Sequence, residues 1–129
     1  MPRTTYDTRF FVEHYYSGDT RVTQSTTSEI RRERDKAVSS IVVHEVYRLT
    51  LQKEGRQVAQ LRVGLIEKDF EVIPVNHELA VVSAEIRQEN EIPMADSIIA
   101  ATASKLRAVC VTDDPHFQKV RGVKTRWIE

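Results

Sequence analysis

The sequence predicts an α/β domain with a mostly parallel central sheet and helices on both faces. Short β-favouring runs alternate with helical stretches along the whole chain, the order expected when parallel strands are joined by crossover helices. The 129 residues suffice for one ordinary domain with a real core, expected to span residues 1–129. Only 4 Gly and 4 Pro punctuate them, so there is no low-complexity linker, and no internal repeat is visible.

The elements follow one another closely. "RTTYD" (Arg3 to Asp7) is a β-favouring run, and "TRFFVEHYY" carries Phe10, Phe11 and Val12, with Tyr15 a helical turn further on. A polar helical stretch, "TSEIRRERDK", leads to a short strand, "AVSS" (Ala37 to Ser40), and then to a helix that stops at Gly55. "RQVAQLRVGLIEKD" is helical by the spacing of Val58, Leu61, Leu65 and Ile66. "FEVIPV" reads as a strand, and "NHELAVVSAEIRQEN" as a helix with Asn76 as its N-cap. Pro93 suits the first turn of the next helix. "AVCVT" is a buried-type strand, and "GVKTRWI" alternates well enough to be the last one.

Composition excludes several classes. A chain 40% hydrophobic and 29% charged has the balance of a soluble globular protein. Lys plus Arg and Asp plus Glu are each 19, so the net charge is zero and any polyanion site must be a local patch. The lone Cys110 excludes an intramolecular disulfide framework and fits a reducing cytoplasm. No run of roughly 18 apolar residues is present, and the start has no signal-peptide core, so a cytoplasmic protein with no membrane association is expected.

In open α/β sheets the ligand site lies beyond the carboxyl ends of the strands, where strand order reverses. Carboxylates from distant parts of the chain fall on that edge. Asp7 ends the first strand, Asp113 and Asp114 follow "AVCVT", Glu45 lies early in the helix after "AVSS", and Asp96 lies in the first turn of the helix opened by Pro93. Asp7 and Asp114 also suit N-caps, and Asp96 suits a helix dipole, so each has an ordinary structural explanation. Glu45 sits among Ile41, Val42 and Leu49, and Asp96 heads a helix apolar round most of its circumference, where a lone ionised carboxylate is costly. Gathered carboxylates raise one another's pKa and stay ionised only with a cation among them. Hard oxygen ligands suit Mg²⁺ or Mn²⁺ rather than zinc, for which no Cys/His pair has ligand spacing. Such a site is what phosphodiester hydrolysis requires. His14, His44, His77 and His116 show no paired ligand spacing.

The segments "YDTRFF", "SSIVVHEVYRL", "IPMADSIIAATASKL" and "CVTDDPHF" occur in the order, and at about the spacing, of the acidic motifs of PIN-domain ribonucleases, and the whole chain resembles a small prokaryotic VapC-type toxin of that family. The resemblance implies a PIN-like fold and a Mg²⁺- or Mn²⁺-dependent endoribonuclease acting on RNA, a homodimer, held inactive by a cognate antitoxin. It assigns catalytic carboxylates to Asp7, Glu45, Asp96 and Asp114, with Asp7, Asp96 and Asp114 as metal ligands. Thr112 falls on the family's fourth motif as an auxiliary residue, and Asp113 occupies that motif's variable slot. Arg9 stands where many relatives carry Ser or Asn, and either contacts RNA phosphate or pairs with a carboxylate.

Two alternatives accompany this reading. One is a PIN nuclease of RNA processing without an antitoxin. The other, from a different class, is a Mg²⁺-binding phosphoacceptor signalling domain, which needs a phosphorylatable Asp on a middle strand. "FEVIPV" ends without one, and Glu45 and Asp96 would have no role.

Overall fold

The computed structural model describes residues 3–128. Among the described residues five strands form one sheet: β1 (Thr4–Tyr6), β2 (Lys36–Ser39), β3 (Glu71–Ile73), β4 (Val109–Val111) and β5 (Lys124–Arg126). Six helices connect them: α1 (Thr8–Tyr16), α2 (Thr20–Arg32), α3 (Ser40–Glu54), α4 (Arg56–Asp69), α5 (His77–Asn90) and α6 (Met94–Leu106), with a 3-10 turn at Pro115–Lys119. The expected α/β class is observed, and every strand pairing is parallel.

The strand order is β3-β2-β1-β4-β5. The chain steps outward from β1 to β2 and β3, then returns across the sheet to β4 and continues to β5. With right-handed crossovers, that reversal sends α1 to α4 to one face and α5 and α6 to the other. The switch point lies between β1 and β4, which pair with Thr4 against Val109 and Tyr6 against Val111.

Local chemistry sets the element ends. The side chain of Ser39 accepts from the Ile41 amide to start α3, and that of Asn76 accepts from the Leu79 amide to start α5. Gly55 adopts φ 90°, a conformation open to glycine, and so separates two long helices with no spacer. α2 begins seven residues earlier than the polar run "TSEIRRERDK" indicates, because Asp19 caps it through the Arg21 amide and so brings a Thr- and Ser-rich segment into the helix. β3 is shorter than "FEVIPV", since Pro74 lacks the amide that a longer ladder requires.

The core is aromatic on one side of β1. Tyr6, Phe10 and Phe11 pack with Phe70, the Tyr6 and Phe70 rings lying edge-on at 5.3 Å. α6 packs against β1, β2 and β4, and Ser97 through Ala103 are all buried in an unbroken run. Small side chains allow that close approach, so the first turn of α6 reaches the carboxyl edge of the sheet.

A buried ionic knot ties β5 and α2 to the core. Glu29, 2% exposed, accepts a hydrogen bond from the Tyr6 hydroxyl at 2.7 Å and is held in bidentate fashion by Arg126 at 3.0 and 2.7 Å. This pairing holds the Glu29 carboxyl below its usual range in spite of burial.

Candidate active site

Four segments meet at the carboxyl edge of the sheet beside the switch point. The turn from β1 into α1 supplies Asp7, α3 supplies Glu45, the first turn of α6 supplies Asp96, and the loop after β4 supplies Thr112 to His116. The site is therefore built by topology from residues up to 109 positions apart in sequence (Asp7 to His116).

Asp7 occupies the N-cap position of α1, but its side chain makes no capping bond. Instead its Oδ2 accepts from the Thr112 hydroxyl at 2.7 Å, and the same hydroxyl oxygen accepts from the Asp114 amide at 3.0 Å. Thr112 thus fixes both the first carboxylate and the loop that bears the fourth. Asp7 is 4% exposed, and burial pushes its carboxyl up to about 6, against the lowering effect of the Thr112 bond and with a further rise from Asp96.

Asp114 caps the 3-10 turn by accepting from the His116 amide at 2.9 Å. That turn folds the His116 ring back over the cluster. Its Nδ1 lies 2.9 Å from Asp114 Oδ1 and 3.1 Å from Asp96 Oδ2. Neither approach is aligned as a hydrogen bond, and among the described residues Nδ1 is buried without a directed partner. Asp96, Asp114 and His116 offer ligand atoms all within 4.8 Å of one another, and one divalent ion could take all three. The Asp96 carboxyl is raised to about 6, first by burial and then by Asp114, while His116 opposes the rise.

The remaining expected residues divide. The Glu45 carboxylate accepts from the Thr8 hydroxyl and stays half-buried at the rim. Asp113 turns away from the cluster: Arg9 grips it through Nε at 3.1 Å and Nη2 at 3.0 Å. That grip holds the Asp113 carboxyl low, and it pairs Arg9 with a carboxylate in the folded chain. Asp7 and Glu45 lie outside the tight trio, and Asp7 reaches it through Thr112.

His116 is the residue that spacing rules pass over. No second histidine or cysteine accompanies it in sequence, and its neighbours become visible only when α6 and the β4 loop meet. The signal present was the Asp-Pro-His run, in which an N-cap and a fixed proline φ force a tight turn. Cys110 is fully buried in β4, where burial pushes its thiol up to about 12, and it plays no part in the cluster.

Fold and site together define a class. Residues 5–123 match the family model described as PIN domain, and the chain belongs to that family of nucleases. No curated protein matches it in a sequence search. Among solved structures it is similar to VapBC2 from Rickettsia felis bound to a promoter DNA fragment, with 18% identity, 98% of each chain covered and a TM-score of 0.77. It is also similar to FitAcB from Neisseria gonorrhoeae, with 24% identity, 95% of each chain and a TM-score of 0.74. A third is VapC20 from Mycobacterium tuberculosis, a toxin that cleaves the sarcin-ricin loop, with 19% identity, 89% of this chain and 92% of that one, and a TM-score of 0.72. Among the described residues no helix is long and apolar enough to cross a membrane.

Proposed function

We propose that the chain is a Mg²⁺- or Mn²⁺-dependent endoribonuclease that hydrolyses RNA phosphodiester bonds, the toxin of a VapBC-type pair. The observation that carries this is the convergence of Asp7, Asp96 and Asp114 at the switch point, where Asp7 and Asp96 are both raised to about 6. A site that strains to hold its own negative charge fits a hard divalent cation. Asp7, Asp96 and Asp114 would hold it, with His116 near enough to join them. When bound, such an ion supplies a more acidic water and charge stabilisation at the leaving oxygen.

The chain's own groups have distinct tasks in this scheme. Thr112 keeps Asp7 and the Asp114 loop at fixed separation. Glu45, steadied by Thr8, takes the proton of the attacking water as that water bonds to phosphorus, and the strand's ester oxygen leaves with the electron pair of the broken P–O bond and takes a proton from solvent. Arg9 and Asp113 brace the loop after β4 against α1, and Asp113 is thereby kept from serving as a ligand. The likeness to toxin-antitoxin complexes supports an antitoxin partner, and the same reading takes the chain as a homodimer acting in the cytoplasm. Membership of the PIN family sets the phosphoacceptor alternative aside.

The test is cleavage of structured and single-stranded RNA by the unchanged chain and by Asp96→Asn, each with Mg²⁺, with Mn²⁺ and with EDTA. Metal-dependent cutting by the unchanged chain, and a loss of at least about 100-fold in the variant, are expected. Full activity of Asp96→Asn, or cutting undiminished by EDTA, would contradict the assignment.

A further inference from the structure

A second feature of α3 is not used by the acidic cluster. Beside Glu45, a cleft of about 250 Å³ is lined by Thr8, His44, Glu45, Arg48, Leu49 and Gln52. His44, Arg48 and Gln52 recur every fourth residue along α3, so they share one edge of the helix over about 12 Å at 1.5 Å per residue. All three are exposed, while Leu49 is half-buried beneath them.

The cations around the cluster are not equivalent. Arg9 is committed to Asp113, while Lys105 stands at the opposite end of α6 from Asp96 and lies 3.7 Å from Glu78. Arg48 forms no ion pair among the described residues, although Glu45 lies only three positions before it and is engaged by Thr8. A guanidinium without a carboxylate, opening into a cleft whose other end is Glu45, is suited to bind an anion that approaches the cluster. An anionic substrate needs such a group, because the carboxylates themselves repel phosphate.

We propose that this cleft binds one nucleotide of the RNA strand adjacent to the cleaved bond, with Arg48 on its phosphate and the base over Leu49. The inference rests on the ribonuclease reading above. At about 250 Å³, below the roughly 300 Å³ at which pockets for whole small-molecule ligands begin, the cleft has room for one nucleotide at most and leaves part of it in solvent. Its lining fits the same occupant. Gln52 offers both a donor and an acceptor at a base edge, His44 offers ring nitrogens, and Leu49 offers an apolar surface for the base face.

The test measures binding of a short fluorescein-labelled single-stranded RNA of mixed sequence to the full chain in EDTA, by anisotropy across a series of NaCl concentrations. Arg48→Gln should weaken Kd about tenfold, the loss expected for one hydrogen bond to a charged group. It should also reduce the slope of log Kd against log salt by about 0.7, the value for one phosphate on a single strand. Arg48→Lys should keep the slope, and Lys68→Gln, which removes an exposed charge at the far end of α4, should change neither quantity. Circular dichroism melts establish that each variant is folded. An Arg48→Gln variant with unchanged Kd and slope, or a Lys68→Gln variant that loses as much, overturns the cleft. Absence of RNA binding by the unchanged chain in EDTA, and again with Ca²⁺ in place of EDTA, overturns the ribonuclease reading itself, and the two failures are thereby distinguished.

Discussion

Asp7→Asn should make the metal-free protein more stable while it destroys the site. The Asp7 carboxyl is raised from 3.8 to about 6 in the folded chain, with burial as the main cause. Between those two values the folded chain keeps the proton and the unfolded chain releases it. The stability contributed by this group is therefore complete below about pH 4 and is lost as pH rises through about 6. Above that window the ionised carboxylate weighs against folding by about 3 kcal/mol. Asparagine removes the charge and keeps an acceptor for the Thr112 hydroxyl. The Thr112 bond to the ionised form is already contained in that figure, so the net gain at pH 8 is about 2 to 3 kcal/mol. For a domain of this size that is a rise in Tm of about 6 °C. At pH 5 the native carboxyl holds its proton but the unfolded chain's does not, so about half of that cost is recovered and the gain should fall to about half. Thermal melts in EDTA at both values provide the measurement. An Asp7→Asn variant less stable than the unchanged chain at pH 8, or one equally improved at both pH values, would refute the argument that this charge is held against its own preference. In the same melts, Mn²⁺ at about 100 times its Kd should stabilise the unchanged chain by about 2.7 kcal/mol and the variant by less.

Three further outcomes are expected. Asp113→Asn should leave calorimetric Mn²⁺ affinity within about threefold, whereas Asp114→Asn should weaken it by about tenfold or more, because Arg9 holds the first and the Thr112–His116 loop aims the second at the cluster. Thr112→Val, nearly equal in volume, should reduce RNA cleavage by about 10- to 100-fold in a single-turnover assay, since it releases both Asp7 and the Asp114 amide. Glu29→Ala should lower stability in urea by about 3 kcal/mol, because it leaves Arg126 and the Tyr6 hydroxyl without their buried acceptor.

Much of the fold is legible in the sequence because its local signals agree with its tertiary demands. Asn76 and Gly55 act at α5 and α3 as their chemistry dictates, and the apolar circumference of "SIIAATA" matches a helix that is buried throughout. Strand lengths are less legible. "RTTYD", "FEVIPV" and "AVCVT" each form three-residue strands, since pairing to a neighbour decides where a ladder ends and no single strand encodes its partner. The start of α2 is hidden for a related reason: the Asp19 cap recruits residues of weak helix propensity, which the adjoining helix α1 then supports.

The site is legible at the level of carboxylates and opaque at the level of their partners. A carboxylate at a strand end or at a helix start on the sheet's carboxyl edge is a local feature, so Asp7, Asp96 and Asp114 can be nominated from order and spacing alone. Which cation answers which anion depends on side-chain reach across elements. Asp113 and Asp114 are neighbours in sequence and equal in charge, yet one faces Arg9 on α1 and the other faces Asp96 on α6. The difference arises because Thr112 pins the Asp114 amide, which turns successive side chains to opposite sides of the loop. His116 belongs to the same event, since the cap that Asp114 places on its amide returns the ring to the cluster. A two-residue choice after β4 therefore sorts the acidic run into one residue that braces the loop and one that faces the cluster.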